Sequence, residues 1–302
     1  MDDTPTLFTP VFLETPKNSL LGWVEFFRRV EIPVQGQTAQ GLNEMAQDED
    51  SVDMNDLAAL INADPLMILR LLRQAGSLGS KSRNTADPKT VDSLETLILM
   101  GTGPFFRASV GLPQTQDWLA TRPEALAGLE RVLELGQRAA SFAHGFAAQL
   151  DDPKAPLIHE ATLLHHFVEM LMWLHAPTLA ARIDALQAAT PGLRTRQACR
   201  SVLGIDVLEL RLALIKAWRL PDVLAQLTDD DHAHRAQVRC VMLGLRLARH
   251  TREGWNHPGL EQDVQDIAEL LHLGLEPTLR LLPKLELGAA AVPAFSSEGG
   301  QQ

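Results

Sequence analysis

Ten histidines in 302 residues invite a search for metal ligands, and the densest group is His159, His165, His166, Glu169 and His175. Imidazole nitrogens and carboxylates bind first-row metals, and His165 and Glu169 stand four apart, so on one continuous helix both would reach a single ion. The same stretch carries Leu163, Leu164, Phe167, Met170 and Leu171, which reads equally as a core helix with polar residues along its outer edge. Nucleophilic chemistry has less to build on. No G-x-S-x-G elbow is present to lift a serine out of a strained turn. Gly101-Thr102-Gly103-Pro104 lacks the further glycines and the lysine of a phosphate loop, and reads as a helix stop with Pro104 opening the next helix. One charged pattern remains. Arg235, Arg239, Arg246 and Arg249 fall on one helical stripe, with Val238, Val241, Leu245 and Ala248 on the apolar one. Such a face could dock an acidic helix or a phosphorylated or nucleotide ligand, be solvated, or pair with the protein's own acids.

The composition narrows the setting. Net charge is -11 and the pI near 5.4, which disfavours direct binding to nucleic acid, where Lys and Arg must displace counterions from phosphates. There is no tyrosine and aromatics make up 5%, so stacking platforms for single strands are also lacking. Cys199 and Cys240 form no CxxC and read as buried free thiols. The N-terminus is acidic where a secretory leader would be basic, and no apolar run approaches a membrane span, so a cytoplasmic protein is expected.

The elements that must position these residues all read as helices. Leu20, Trp23, Val24, Phe27 and Val30 predict a helix from Asn18 or Ser19, and Asp53 caps a short one bearing Leu57, Leu60 and Ile61. Asp64-Pro65 opens a helix expected to stop at Gly76, and Asp92 to Glu95 has the form of a capping box. A long helix is expected over Pro123 to Leu150, then one unbroken helix over Leu157 to His175. Others are expected over 177–189, 194–203, 221–227, 232–252, 258–271 and 276–285. The sharpest runs from an N-cap at Asp206 to Pro221, and its apolar body, ending in Trp218, calls for neighbours on most sides.

The ends of that helix, LG-x-D at Leu203 to Asp206 and W-x-LP at Trp218 to Pro221, resemble the C-terminal signature of the HDOD domains, regulatory relatives of the HD phosphohydrolases. IPV at Ile32, I-x-x-DPL followed by LLRQAGS, and SLETLILMG are similar to the family's N-terminal half, although Gly76 replaces its usual Asn and Met100 its usual Leu. The resemblance implies an all-α chain with a helical N-terminal lobe and an HD-like helical C-terminal lobe. It divides the chain into an extension with one helix (1–30), an HDOD-like domain (31–250), C-terminal helices packed on it (251–287) and a disordered tail (288–302). HD enzymes hold metal with a His on one helix, a His-Asp pair on the next and a further Asp. Here the pair is His165-His166, the first ligand position falls near Leu135-Gly136, and Val207 stands where many HDOD domains keep a His. The resemblance therefore implies no cofactor, no metal and no catalysis, but a bacterial signalling module that meets a protein partner. A divergent metal-dependent phosphohydrolase and a purely structural scaffold are the alternatives.

Overall fold

Short polar side chains and prolines set the starts of several helices. The computed structural model describes residues 10–79, 93–227 and 235–290. Helix α1 (Leu20–Arg28) starts where the hydroxyl of Ser19 accepts the Gly22 N–H at 3.1 Å, and it buries Trp23, Val24 and Phe27. Helix α2 (Gly36–Met45) runs into a 3-10 turn, and α3 (Met54–Asn62) is capped by Asp53, which accepts the Asn55 N–H at 2.6 Å. Asp64 starts α4 (Pro65–Gly79), one oxygen accepting from Leu66 at 2.9 Å and the other from Gln35 at 2.7 Å, so the cap also ties down the entry to α2. Short helices α5 (Ser93–Met100), α6 (Thr102–Ser109) and α7 (Thr115–Trp118) lead into the long α8 (Pro123–Gln149).

After α8 come α9 (Ala155–Leu163), α10 (Phe167–His175), α11 (Pro177–Ala189), α12 (Thr195–Leu203) and α13 (Val207–Trp218). Asp206 accepts the Leu208 N–H at 2.9 Å and caps α13 as its sequence implies. The chain continues through α14 (Val223–Gln226), α15 (Ala236–His250), α16 (Leu260–Leu271) and α17 (Leu275–Ala290). Among the described residues there is no strand, only an isolated bridge between Val34 and Gln114. The fold is all-α.

Two compact units emerge. One comprises the described residues up to Leu133 together with Leu164–Ala225; the other comprises Glu134–Leu163 and the residues from Gln226 onward. In the first unit α1 packs on α13, Trp23 stacks on Phe27, and the indole N–H of Trp23 donates to the Leu203 carbonyl at 3.4 Å. Trp218 is buried, 5% exposed, as its sequence setting implies. In the second, the latter half of α8 lies so close to α15 that a Cβ on Gly244 would sit 2.7 Å from the Ala139 carbonyl oxygen, and Arg138 reaches Glu286 and the Thr251 hydroxyl.

Three readings of the sequence need correction. Helix α4 does not stop at Gly76 but runs through it to Gly79. That glycine answers to packing: a Cβ there would lie 2.2 Å from the carbonyl oxygen of Trp218. The helix expected over Leu157 to His175 is broken by a 3-10 turn at Leu164–His166, which neither Pro nor Gly announces. The last helix passes Leu285 and Gly288, with Pro283 inside it, to reach Ala290. The loop from Ser80 to Lys89, the cap at Asp92, the helix start at His232 and the tail from 291 lie outside the described residues.

Candidate functional site

The histidine group does not converge. His159, in the second unit, faces His144 with ring centroids 5.8 Å apart, and burial, with the neighbouring imidazole, holds it down to about 4. His175, in the first unit, packs edge-on against Phe26 and Trp118, and burial, with the nearby charge of Arg73, brings it to about 3. His165 and His166 occupy the 3-10 turn, so His165 and Glu169 do not share a continuous α-helix. Instead His166 Nδ1 meets Glu169 Oε1 at 3.3 Å, with the buried Arg211 4.0 Å from that oxygen. Burial alone would raise the Glu169 carboxyl, but its bond to His166 and the charges of His166 and Arg211 bring it to about 2.

That arrangement does not fit the metal of an HD enzyme. One oxygen of the acid that could serve as a ligand is taken by His166 and lies 4.0 Å from the Arg211 guanidinium, whose charge would repel a cation. Among the described residues no three His, Cys, Asp or Glu side chains come together as a metal site. Leu135, Gly136 and Val207 offer no donor at the positions marked by the resemblance. Both cysteines are buried and free, and burial pushes their thiols up to about 12, which removes the thiolate that nucleophilic chemistry requires.

The arginine stripe on α15 faces acids of its own unit. Arg239 lies 3.3 Å from Glu269, and Arg246 pairs with Asp263 at 2.6 Å and with Asp266. Asp263 is 1% exposed and also meets His250 at 2.6 Å. Arg249 donates to the Leu245 carbonyl at 3.2 Å, and burial, helped by the Arg246 charge, lowers its pKa. Arg235 stands exposed at the helix start. This is the internal pairing that the sequence offered beside a docking face.

A second arginine group, invisible to sequence periodicity, gathers in the first unit. The end of α1 supplies Arg28, α4 supplies Arg70 and Arg73, and the end of α13 supplies Trp218 and Arg219, around a cavity of about 520 Å³. Arg70 pairs with Glu31 and donates to the Ile32 carbonyl at 3.1 Å, while Arg28 has an exposed pair with Glu25. Arg73 donates to the Val30 carbonyl at 2.8 Å and lies 5.5 Å from the Trp218 ring centroid; burial, then the charge of Arg70, lowers its pKa. Among the described residues neither Arg73 nor Arg219 pairs with an acid, and no Asp or Glu lines the cavity.

Two backbone features shape this site. Gly76 lets α4 approach the last turn of α13, as its contact with the Trp218 carbonyl shows. Arg219 closes α13 in the left-handed conformation, φ 54° and ψ 42°, with Leu220 N–H donating to the Ile215 carbonyl at 2.9 Å. The position is one that glycine fills at least cost. The sequence signals were the W-x-LP stop and the glycine before it in α4, neither of which names the arginines.

Comparison with known proteins places the fold. Residues 32–234 match the family model of the HDOD domain. No curated protein matches the chain. Among solved structures it is similar to the MmoQ response regulator of Methylococcus capsulatus strain Bath, at 19% identity and a TM-score of 0.61, over 84% of this chain and 98% of that one. It is also similar to a virulence factor of Campylobacter jejuni, at 17% identity and a TM-score of 0.55, over 90% of this chain and 100% of that one. These likenesses speak for the fold, and the family match for the lineage: the chain belongs to the HDOD family.

Proposed function

We propose that this protein is a non-catalytic signalling module that acts by binding a protein partner. One observation carries the reading: the His-Asp pair of an HD enzyme is His165-His166 here, and the acid beside it, Glu169, is held by His166 at 3.3 Å and lies 4.0 Å from Arg211. A phosphohydrolase of that class needs the ion both to polarise phosphate and to generate hydroxide, and these residues would supply neither. The similarity to a response regulator accords with a place in bacterial signalling. No described helix is long and apolar enough to cross a membrane, which fits a cytoplasmic partner.

The test is metal analysis of the purified protein, with assays on phosphomonoesters, nucleotides and cyclic dinucleotides, followed by co-purification and mass spectrometry. The expected outcome is no stoichiometric Zn, Fe or Mn, no hydrolysis, and a signalling protein recovered as partner. About one equivalent of metal, lost together with hydrolytic activity in His165→Ala, would overturn the proposal.

A further inference from the structure

We infer that the cavity between α1, α4 and the end of α13 binds a small phosphate ester, gripped through its phosphate by Arg73 and Arg219. The inference goes beyond the partner reading and does not depend on it. Its first support is charge. Four arginines line a cavity with no acid in its wall, in a chain whose net charge is -11. Guanidinium taken partly out of water is costly unless matched, and Arg73, beside Arg70, donates to one carbonyl and lies near an indole ring, with the charge of Glu31 offsetting part of its own. A dianion entering there would relieve both the desolvation and the repulsion, and the planar fork of arginine suits phosphate oxygens.

The second support is strain. Arg219 lines the cavity and holds a left-handed backbone that disfavours any side chain, a cost that glycine would avoid and that we assign to the guanidinium's use on the ligand. Shape supplies the third. A volume near 520 Å³, open to solvent, lies inside the range of about 300 to 1,000 Å³ typical of small-molecule sites. Trp218 lines the same cavity. Gln74 adds a neutral amide to the wall, while the Ser77 hydroxyl donates to the Gln74 carbonyl at 2.6 Å.

Isothermal titration of the full chain at low salt tests this, with AMP, glucose 6-phosphate and inorganic pyrophosphate as probes, adenosine as the phosphate-free control and hexaglutamate as an acidic peptide. The expected result is one site for at least one phosphate probe, no binding of adenosine, and weakening with added salt. Arg219→Gly should weaken that binding at least tenfold while the melting temperature holds or rises. Ser77→Glu, at an exposed position, should weaken it comparably without loss of fold. Silence from every phosphate probe, unchanged affinity in both variants, or adenosine binding as well as AMP would each overturn the inference. So would hexaglutamate binding alone, lost in both variants, which would make the cavity a protein-docking site.

Discussion

The two arginine groups are built from the same residue and reach opposite electrostatic ends. On α15, Arg239 and Arg246 face Glu269, Asp263 and Asp266, so positive charge is cancelled within the unit and works as a clamp between α15 and α16. Around the cavity, Arg73 meets a carbonyl and a ring with Glu31 offsetting only part of its charge, and Arg219 pairs with no acid among the described residues. The contrast shows that a stripe of one charge on a helix says little until the neighbouring helix is known, and that cations left uncompensated in a concavity are the better mark of a binding site.

Emptying the wall of the cavity should have the largest effect. Trp218→Ala is expected to cost about 4 kcal/mol, the range for deleting a buried large aromatic, read from urea unfolding. An unchanged midpoint would place the indole outside the core. Next comes the clamp. Arg246→Ala should cost about 2 kcal/mol, because it removes one of the two partners of the buried Asp263 carboxylate and leaves it to His250. If the loss were a few tenths, the α15 arginines would be surface charges after all, and the distinction between the two groups would collapse.

Acid should report, with a smaller share from the nearby charge of Arg73, the burial of His175. Its folded pKa, about 3, lies below the ordinary 6.5, so above pH 6.5 neither state binds the proton and stability is unaffected. From pH 6.5 downward the unfolded chain takes the proton first, and stability should fall by about 1.4 kcal/mol per pH unit for this group. Glu169, held near 2 from an ordinary 4.5, adds its loss only below 4.5, so melts between pH 7 and 5 isolate the histidines. His159, at about 4, contributes there as well. The readout is therefore the reduction in slope in His175→Gln; equal slopes would remove His175 from the account. The smallest effect runs the other way. Arg219→Gly should stabilise the fold by about 1 kcal/mol by releasing the left-handed strain, and a loss of stability would show the guanidinium to be structural.

Much of the helical order was legible because its signals are local. Ser19, Asp53, Asp64-Pro65 and Asp206 each cap within a few residues of themselves, and α11 spans Pro177–Ala189 as its proline start implies. What depends on another helix was not legible. Gly76 looked like a stop because its contact, the Trp218 carbonyl, is distant in sequence. The break at Leu164–His166 has no breaker residue; there His166 turns to reach Glu169. The stripe on α15 was visible as a period, but its acids on α16 were not assignable, and the cavity arginines come from three helices that share no period.

The hydrogen bond from Trp23 to the Leu203 carbonyl spans 180 residues, and it bears on how the chain is made. A polypeptide leaves the ribosome N-terminus first, so α1 and α4 emerge long before α13 exists to receive them. Meanwhile Glu134–Leu163, which belongs to the other unit, is synthesised after the first stretch of this unit and before the second. Closing so long a loop carries an entropic cost that only the late contacts repay, so the first unit must wait with Trp23 and Phe27 uncovered. The cavity is thus a product of finished synthesis: a chain that stops short of Arg219 carries three of its arginines and no site.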